Sequence, residues 1–287
     1  MIYPVVLAGL QGGTLPATSD VIPSHFCADG CIESRFQSVL QSLDHPMFAA
    51  PTVVACEAHR FVAMQQMEAA CMAGDLIIEP CRSKSAALLA ALALRFQDEP
   101  EALLLILPAH HAGTEGEAFR RAVENALQSA FRGDLVLLAD TQPTGYGQLR
   151  ALSRMQSRQP VQALFSAGAA SSVEDPRSYS NSGVYLVRAG SLLAAFKRFA
   201  PRLLQSTKRA VCDMRAGAGF LRLAPQAYGR ITADSFEAVI LSRMETVSAI
   251  CAEAGPDASV VGCRDPQLPE RIWARVPPQG MAQKHAA

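Results

Sequence analysis

The chain has 287 residues, of which 49% are hydrophobic and 18% charged, and its formal net charge is zero. This composition fills a sizeable core and excludes wholesale disorder, and a zero net charge argues against nucleic-acid binding. No apolar stretch approaches the roughly 18 residues of a membrane span. The N-terminus lacks the basic segment of a signal peptide, so we expect a cytoplasmic protein with reduced thiols.

The first predicted element is a strand, residues 2–7, which opens directly into a glycine-rich loop, residues 8–14. Glycine permits a tight turn and brings backbone N–H groups close to phosphate oxygens. Gly9, Gly12 and Gly13 are therefore candidate nucleotide-binding residues. Phosphate sites usually add cationic side chains, yet residues 1–34 contain no Lys or Arg. The sequence thus predicts a backbone loop suited to binding phosphate but without the cationic side chains that usually accompany one.

Strand-like and helix-like patterns alternate through the first half of the chain. The predicted strands are 2–7, 52–56, 76–78, 103–107 and 135–139, and the predicted helices are 33–43, 58–73, 85–96 and 116–131. This alternation predicts an α/β fold with a mixed, mostly parallel central sheet flanked by helices. Ligands of such sheets bind outside the carboxyl ends of the strands, which places the glycine loop on the binding edge.

The second half has a less regular pattern. It predicts strands at 163–165 and 183–187, helices at 189–199 and 236–254, and a last strand at 259–263. We therefore predict one domain over residues 1–265 and a proline-containing C-terminal tail over residues 266–287. The pair Cys27 and Cys31 lacks the second ligand pair that a structural zinc site requires, so no metal site is predicted there.

Six short motifs occur in a fixed order over roughly residues 1 to 250. They are the strand and glycine loop closing on IPSHF (22–26), PTVV to EAHRF (51–61), IIEP with an Ala/Leu-rich helix (77–94), LPAHH (107–111), TGYG (144–147) and NSGVY (181–185). Together they resemble bacterial mannose-1-phosphate guanylyltransferases of the sugar-nucleotidyltransferase family. The resemblance implies a Rossmann-like nucleotidyltransferase fold. It also implies transfer of a nucleotidyl group from a nucleoside triphosphate to a sugar 1-phosphate, with Mg²⁺ as cofactor in an active protein.

The departures from the family motifs fall on charged positions. The arginine of the family's glycine loop falls on Thr14, the lysine of its YPK segment on Ser24, and the metal-holding aspartate of its LPADH motif on His110. Its EPxGRN arginine and asparagine fall on Ser83 and Lys84. No counterpart of its second metal aspartate is identified. Each lost charge weakens transition-state stabilisation by roughly 3 kcal/mol.

The resemblance implies further candidate binding residues. Glu79 would join the three glycines in nucleotide binding, and Gly145 and Asn181 would bind the sugar. The alternative is that these side chains make structural hydrogen bonds at strand ends and that the glycine loop is an empty turn. His110 and His111 are a further alternative as ligands of a softer metal such as Zn²⁺, although adjacent residues at a strand end rarely reach one ion.

Three hypotheses remain open for the function. The first is a catalytically impaired or inactive relative that keeps the fold and weak nucleotide or sugar-phosphate binding, with a regulatory or structural role in polysaccharide precursor supply. It would act beside an active homologue or by self-association. The second is an active enzyme that makes GDP-mannose from GTP and mannose 1-phosphate. The third is an interaction module without a ligand. The loss of charges within a preserved apolar frame favours the first.

Overall fold

The structure is a computed structural model, and it describes residues 1–9, 22–28, 32–80, 85–111, 116–140, 146–155, 158–166, 177–232 and 234–251. Several predicted features lie outside these residues: Gly12, Gly13, Thr14, Gly145, Cys31, the strand at 259–263, and the boundary between the domain and the tail at residues 265 and 266. Their predictions stay predictions.

The described residues form one sheet of 11 strands with the order β5-β11-β7-β6-β8-β4-β1-β2-β3-β10-β9. The strands are β1 Ile2–Leu7, β2 Thr52–Cys56, β3 Asp75–Glu79, β4 Leu103–Pro108, β5 Val136–Asp140, β6 Gln148–Ala151, β7 Val161–Ser166, β8 Ser178–Arg188, β9 Arg215–Ala216, β10 Leu221–Arg222 and β11 Val247–Cys251. The predicted mixed α/β sheet is confirmed, and β1 lies in its interior, between β4 and β2.

Parallel pairing holds the half of the sheet that carries the glycine loop. Strands β4, β1, β2 and β3 lie parallel to one another, and β10 continues the parallel block beside β3. The residues of β1, β2 and β4 are almost entirely buried, since helices cover both faces of the sheet. This explains why these strands appear in the sequence as continuous apolar runs rather than alternating ones.

The other half is largely antiparallel and is organised by the long strand β8. Its residues pair antiparallel with β4, β5 and β6, while β7 pairs antiparallel with both β6 and β11. At Gly183 the backbone takes a φ of +79°, which favours glycine. A methyl group there would lie 3.0 Å from the ring of Tyr146 and 3.1 Å from Pro108, so the glycine also permits this close packing.

Helices cover both faces of the sheet. They are α1 Arg35–Ser42, α2 Arg60–Ala69, α3 Ser85–Arg95, α4 Glu117–Phe131, α5 Ala189–Phe199, α6 Pro201–Cys212, α7 Pro225–Tyr228 and α8 Phe236–Val239. Residues of α3, α5 and α6 pack in the core on one face of β1, and residues of α1, α2 and α4 pack on the other face. Within the described residues, no helix is long and apolar enough to cross a membrane.

The predicted helix at 236–254 is wrong beyond its first turn. Helix α8 ends at Val239, a short 3-10 helix follows at Leu241–Arg243, and β11 then enters the sheet. The apolar run from Val247 to Cys251 is too short for its periodicity to distinguish a helix from a buried strand. This run forms a strand because it pairs with β5 and β7.

Candidate functional site

The carboxyl ends of the parallel strands form one edge of the sheet, which we call the rim. Gly9 follows β1, Glu57 follows β2, Glu79 ends β3, and His110 follows β4. Two main-chain hydrogen bonds fix the start of the glycine loop in this edge. The N–H of Ala8 donates to Val54 (2.7 Å), and the N–H of Ala109 donates to Leu7 (3.1 Å). The rim therefore brings together residues that lie up to about a hundred positions apart in the chain.

Gly9 and Glu79, two of the predicted nucleotide-binding residues, lie side by side. A methyl group built at Gly9 would lie 3.3 Å from Oε2 of Glu79 and 3.3 Å from the backbone nitrogen of Cys56. Glu79 is only 1% exposed, and its Oε1 accepts a hydrogen bond of 2.7 Å from the hydroxyl of Tyr228. Glycine at position 9 thus lets the chain pass this carboxylate closely, and a Cβ atom there would press on both neighbours.

Ser24, the position of the family's lysine, begins a short 3-10 helix, Ser24–Phe26, and its side chain is exposed. The next residue, His25, is buried, and its Nε2 donates to the main-chain oxygen of Ala8 at 3.1 Å. Burial, followed by the neighbouring His110, lowers the pKa of His25 to about 3, while the hydrogen bond to Ala8 opposes the change. His25 is therefore neutral at physiological pH and adds no charge to the rim.

His110, the position of the family's metal aspartate, is engaged by an aromatic neighbour. Its Nε2 lies 3.2 Å from the hydroxyl of Tyr146, and the two rings stack with centroids 6.2 Å apart and an interplanar angle of 12°. Burial raises the pKa of Tyr146, and the charge of Glu237 adds to this effect. Desolvation, followed by the influence of His110, lowers the pKa of His111 to about 4 against the opposing charge of Asp140.

Asn181, the predicted sugar-binding residue, is completely buried in a polar network. Its side-chain amide donates to the carbonyl of Tyr146 (3.1 Å) and to the hydroxyl of Tyr185 (3.0 Å), and its Oδ1 accepts from the N–H of Gly183 (3.0 Å). Tyr185 in turn donates to Glu237 at 2.6 Å. In this arrangement both amide protons of Asn181 are used within the protein, and the side chain fixes the segment that carries Tyr146 against β8.

Known proteins resemble this chain in sequence and in fold. No family model matches the chain. Mannose-1-phosphate guanylyltransferases from Escherichia coli and Sinorhizobium fredii are each 29% identical to it over 88% of its length, and they are covered over 57% and 52% of their own lengths. The chain resembles the mannose-1-phosphate guanylyltransferases over most of its length. The predicted resemblance is therefore confirmed. The alginate biosynthesis protein AlgA of Pseudomonas aeruginosa is 32% identical over 69% of this chain and 44% of its own.

The chain spans little more than half the length of the first two of these curated relatives. Solved structures show the same fold at low identity. A mannose-6-phosphate isomerase from Helicobacter pylori is 18% identical, with a TM-score of 0.73 over 88% of this chain and 98% of its own. A protein described as mannose-1-phosphate geranyltransferase from Thermus thermophilus is 19% identical, with a TM-score of 0.68 over 88% of this chain and 73% of its own. These two likenesses show the nucleotidyltransferase-like fold alone.

Mg²⁺, the cofactor that the guanylyltransferase resemblance implies, does not fit the described rim residues. This ion prefers carboxylate and water oxygens in octahedral geometry, whereas the side chains after β4 are imidazoles, which suit softer metals. The carboxylate of Glu79 is buried against Tyr228. Among the residues that the structure describes, no three His, Cys, Asp or Glu side chains converge closely enough to hold a metal ion.

Sequence reasoning missed several residues that shape this guanylyltransferase-like rim. Tyr228 binds Glu79, Glu237 binds Tyr185, and Arg222 binds Glu57 (2.6 Å). Their partners lie 149, 52 and 165 residues away. No local pattern marks such a pair. For Glu57 and Glu79 the signal available in the sequence was their position at or near a strand end, whereas Glu237 lies in helix α8 and had no such signal.

Proposed function

We propose that this chain is a mannose-1-phosphate guanylyltransferase-like protein that binds a nucleotide or sugar phosphate at the rim and is catalytically impaired or inactive. The observation that carries this proposal is the environment of His110. It occupies the position of the family's metal aspartate, and its ring is hydrogen-bonded to and stacked on Tyr146. An imidazole held in this way does not replace a carboxylate as a magnesium ligand.

Electrostatics support the same conclusion. Phosphoryl transfer depends on positioning and on neutralising the charge that develops on the phosphate oxygens. The exposed position of the family's lysine carries the hydroxyl of Ser24, and the depressed pKa values keep His25 and His111 neutral. The loss of one such charge costs roughly 3 kcal/mol of transition-state stabilisation when taken alone.

Backbone N–H groups also bind phosphate, without the missing cationic side chains. We assign the phosphate contacts to backbone N–H groups of Gly9, Gly12 and Gly13, since glycines let a phosphate approach the main chain closely. Glu79 and Gly145 would contribute hydrogen bonds to the nucleotide and sugar. Asn181 would act as a positioning residue, because its amide holds the backbone of Tyr146.

The relatives' names, which include proteins of alginate and xanthan biosynthesis, support a role in the same kind of pathway. We place this chain in polysaccharide precursor supply, where it would act as a regulatory or structural partner beside an active homologue or through self-association. An active GDP-mannose-forming enzyme and a ligand-free interaction module are the two competing outcomes.

The test is turnover of GTP and mannose 1-phosphate with Mg²⁺, followed by pyrophosphate release, together with thermal shifts for each ligand. We expect turnover at least ~10⁴-fold below an ordinary enzymatic rate of about 10 s⁻¹, together with measurable stabilisation by ligand. A rate near 10 s⁻¹ would establish the active enzyme instead. If no nucleotide or sugar phosphate shifts the melting temperature, the interaction module is the correct interpretation.

A further inference from the structure

Two arginines share one carboxylate at the rim. Oε1 of Glu57 lies 3.0 Å from Nη1 of Arg60 and 2.6 Å from Nη2 of Arg222. Nη1 of Arg60 also donates to the main-chain oxygen of Glu57 at 2.8 Å. Both guanidinium groups stack on aromatic rings, Arg60 over Phe61 at 4.1 Å and Arg222 over Phe220 at 5.6 Å. We call Glu57, Arg60 and Arg222 the arginine pair site.

The fold places this site on the binding edge of the sheet. Glu57 directly follows β2, and Arg222 ends β10, in register with Ile78 of β3. The ion pair between them therefore spans the end of β3, where Glu79 lies beside Gly9. The arginine pair site thus borders the segment in which the glycine loop begins.

The charges of the site do not cancel. Two guanidinium groups face one carboxylate, which leaves a surplus of one positive charge. The three side chains are between 28% and 36% exposed, so a ligand can reach them. Nε of Arg222 is buried and has no acceptor among the described residues. Apart from this Nε, which a ligand cannot reach, the two guanidinium groups still carry more N–H donors than Glu57 accepts.

We propose that Arg60 and Arg222 form an anion-binding subsite that takes a phosphoryl group of the ligand. This inference rests on the proposed function, since it names the cations of the same rim. Guanidinium groups match phosphate oxygens with paired, charge-assisted hydrogen bonds. Glu57 holds the two cations close together and so prepares them for a second anion. The site supplies positive charge that the glycine loop lacks, without a metal ion.

The probe is inorganic pyrophosphate, titrated calorimetrically without Mg²⁺ into the full chain. Arg60→Gln and Arg222→Gln should each weaken binding about tenfold, the loss expected for one charge-assisted hydrogen bond. Glu57→Gln should strengthen binding by at least about threefold, since it removes a competing negative charge. Parallel titrations with GTP and mannose 1-phosphate show which ligand brings the phosphoryl group.

Arg188→Gln is the matched control. Arg188 also pairs with a glutamate, Glu101 at 2.9 Å, and also has a buried Nε without an acceptor among the described residues. It lies opposite Leu103, at the amino end of β4 and therefore away from the rim. This variant should bind pyrophosphate like the wild type.

A structural ion pair predicts the opposite pattern. In that case Glu57→Gln and Arg222→Gln would both lower the melting temperature. Glu57→Gln would not strengthen pyrophosphate binding and Arg222→Gln would not weaken it; that result overturns the inference. If Arg222→Gln fails to fold, Arg222→Lys takes its place in the test, because it keeps the charge and should recover part of the affinity.

If pyrophosphate binding is lost in Gly12→Val but kept in both arginine variants, the proposed function survives and the subsite does not. If turnover is normal while the arginine variants lose pyrophosphate, the subsite stands and the proposed function fails.

Discussion

The imidazole of His25 donates to the main-chain oxygen of Ala8 at 3.1 Å, and so ties the segment of Ser24 to the residue before Gly9. Burial keeps this imidazole neutral, with a pKa of about 3 against 6.5 in an exposed histidine. Between these two pH values the unfolded chain binds a proton at His25 that the folded chain does not. The free energy of unfolding therefore falls as the pH falls through this window.

At about pH 5 this difference in proton binding lowers the free energy of unfolding by about 2 kcal/mol. His25→Gln keeps a hydrogen-bond donor but does not titrate. Its free energy of unfolding should therefore fall by about 2 kcal/mol less than that of the wild type between about pH 7.5 and pH 5. Urea unfolding of both proteins at the two pH values measures the difference. Equal losses in the two proteins would show that His25 is not desolvated in the folded state.

Tyr228→Phe tests the burial of Glu79. Removing the hydroxyl leaves a 1% exposed carboxylate without the donor that lies 2.7 Å from its Oε1. The cost should be about 1–3 kcal/mol of unfolding free energy. Tyr179→Phe, in a half-buried tyrosine of β8, serves as the control and should cost less than about 0.5 kcal/mol. A Tyr228→Phe variant as stable as this control would mean that water reaches Glu79.

Gly9→Val tests the close approach of the glycine loop to Glu79. A Cβ atom at position 9 would lie 3.3 Å from both the carboxylate of Glu79 and the backbone nitrogen of Cys56. The branched side chain must displace one of them, so GTP binding measured by calorimetry should be lost. Gly9→Ala adds one methyl group and should keep part of the affinity. Wild-type affinity in Gly9→Val would exclude this segment from the binding site.

Restoring the family's charges tests the electrostatic argument. Thr14→Arg, Ser24→Lys and His110→Asp together should strengthen GTP binding and make it dependent on Mg²⁺, because they return two cations and one metal carboxylate. Catalysis should not be fully restored, since the second aspartate has no identified position. Wild-type binding should be weak, on the order of millimolar, and independent of Mg²⁺.

His110→Ala is the control for this triple variant and should change wild-type GTP affinity little, since its imidazole is engaged by the hydroxyl of Tyr146 rather than by the ligand. Tight binding by the wild type only in the presence of Mg²⁺ would show that a metal site exists elsewhere in the chain. Calorimetric titrations of the wild type, His110→Ala and the triple variant, with and without Mg²⁺, distinguish these results.

The parallel half of the fold could be predicted from the sequence because its strands are buried on both faces. Such strands appear as uninterrupted apolar runs, as in β1, β2 and β4. Strands of two to four residues, such as β6 and β10, carry too little pattern to be found. Helix α6 was missed as well, although Pro201 at its first position is a common helix start.

The sequence by itself determined which candidate residues meet at one edge. Parallel strands end on the same side, so Gly9 after β1 and Glu79 at the end of β3 belong to one edge once these strands are recognised. Their side-by-side placement depends on the strand order β1-β2-β3. Only the tertiary structure decided what these residues contact. Tyr228 reaches Glu79 across 149 positions, and Arg222 reaches Glu57 across 165. Such pairs form because packing brings distant elements together, and periodicity records only which side of an element faces the core.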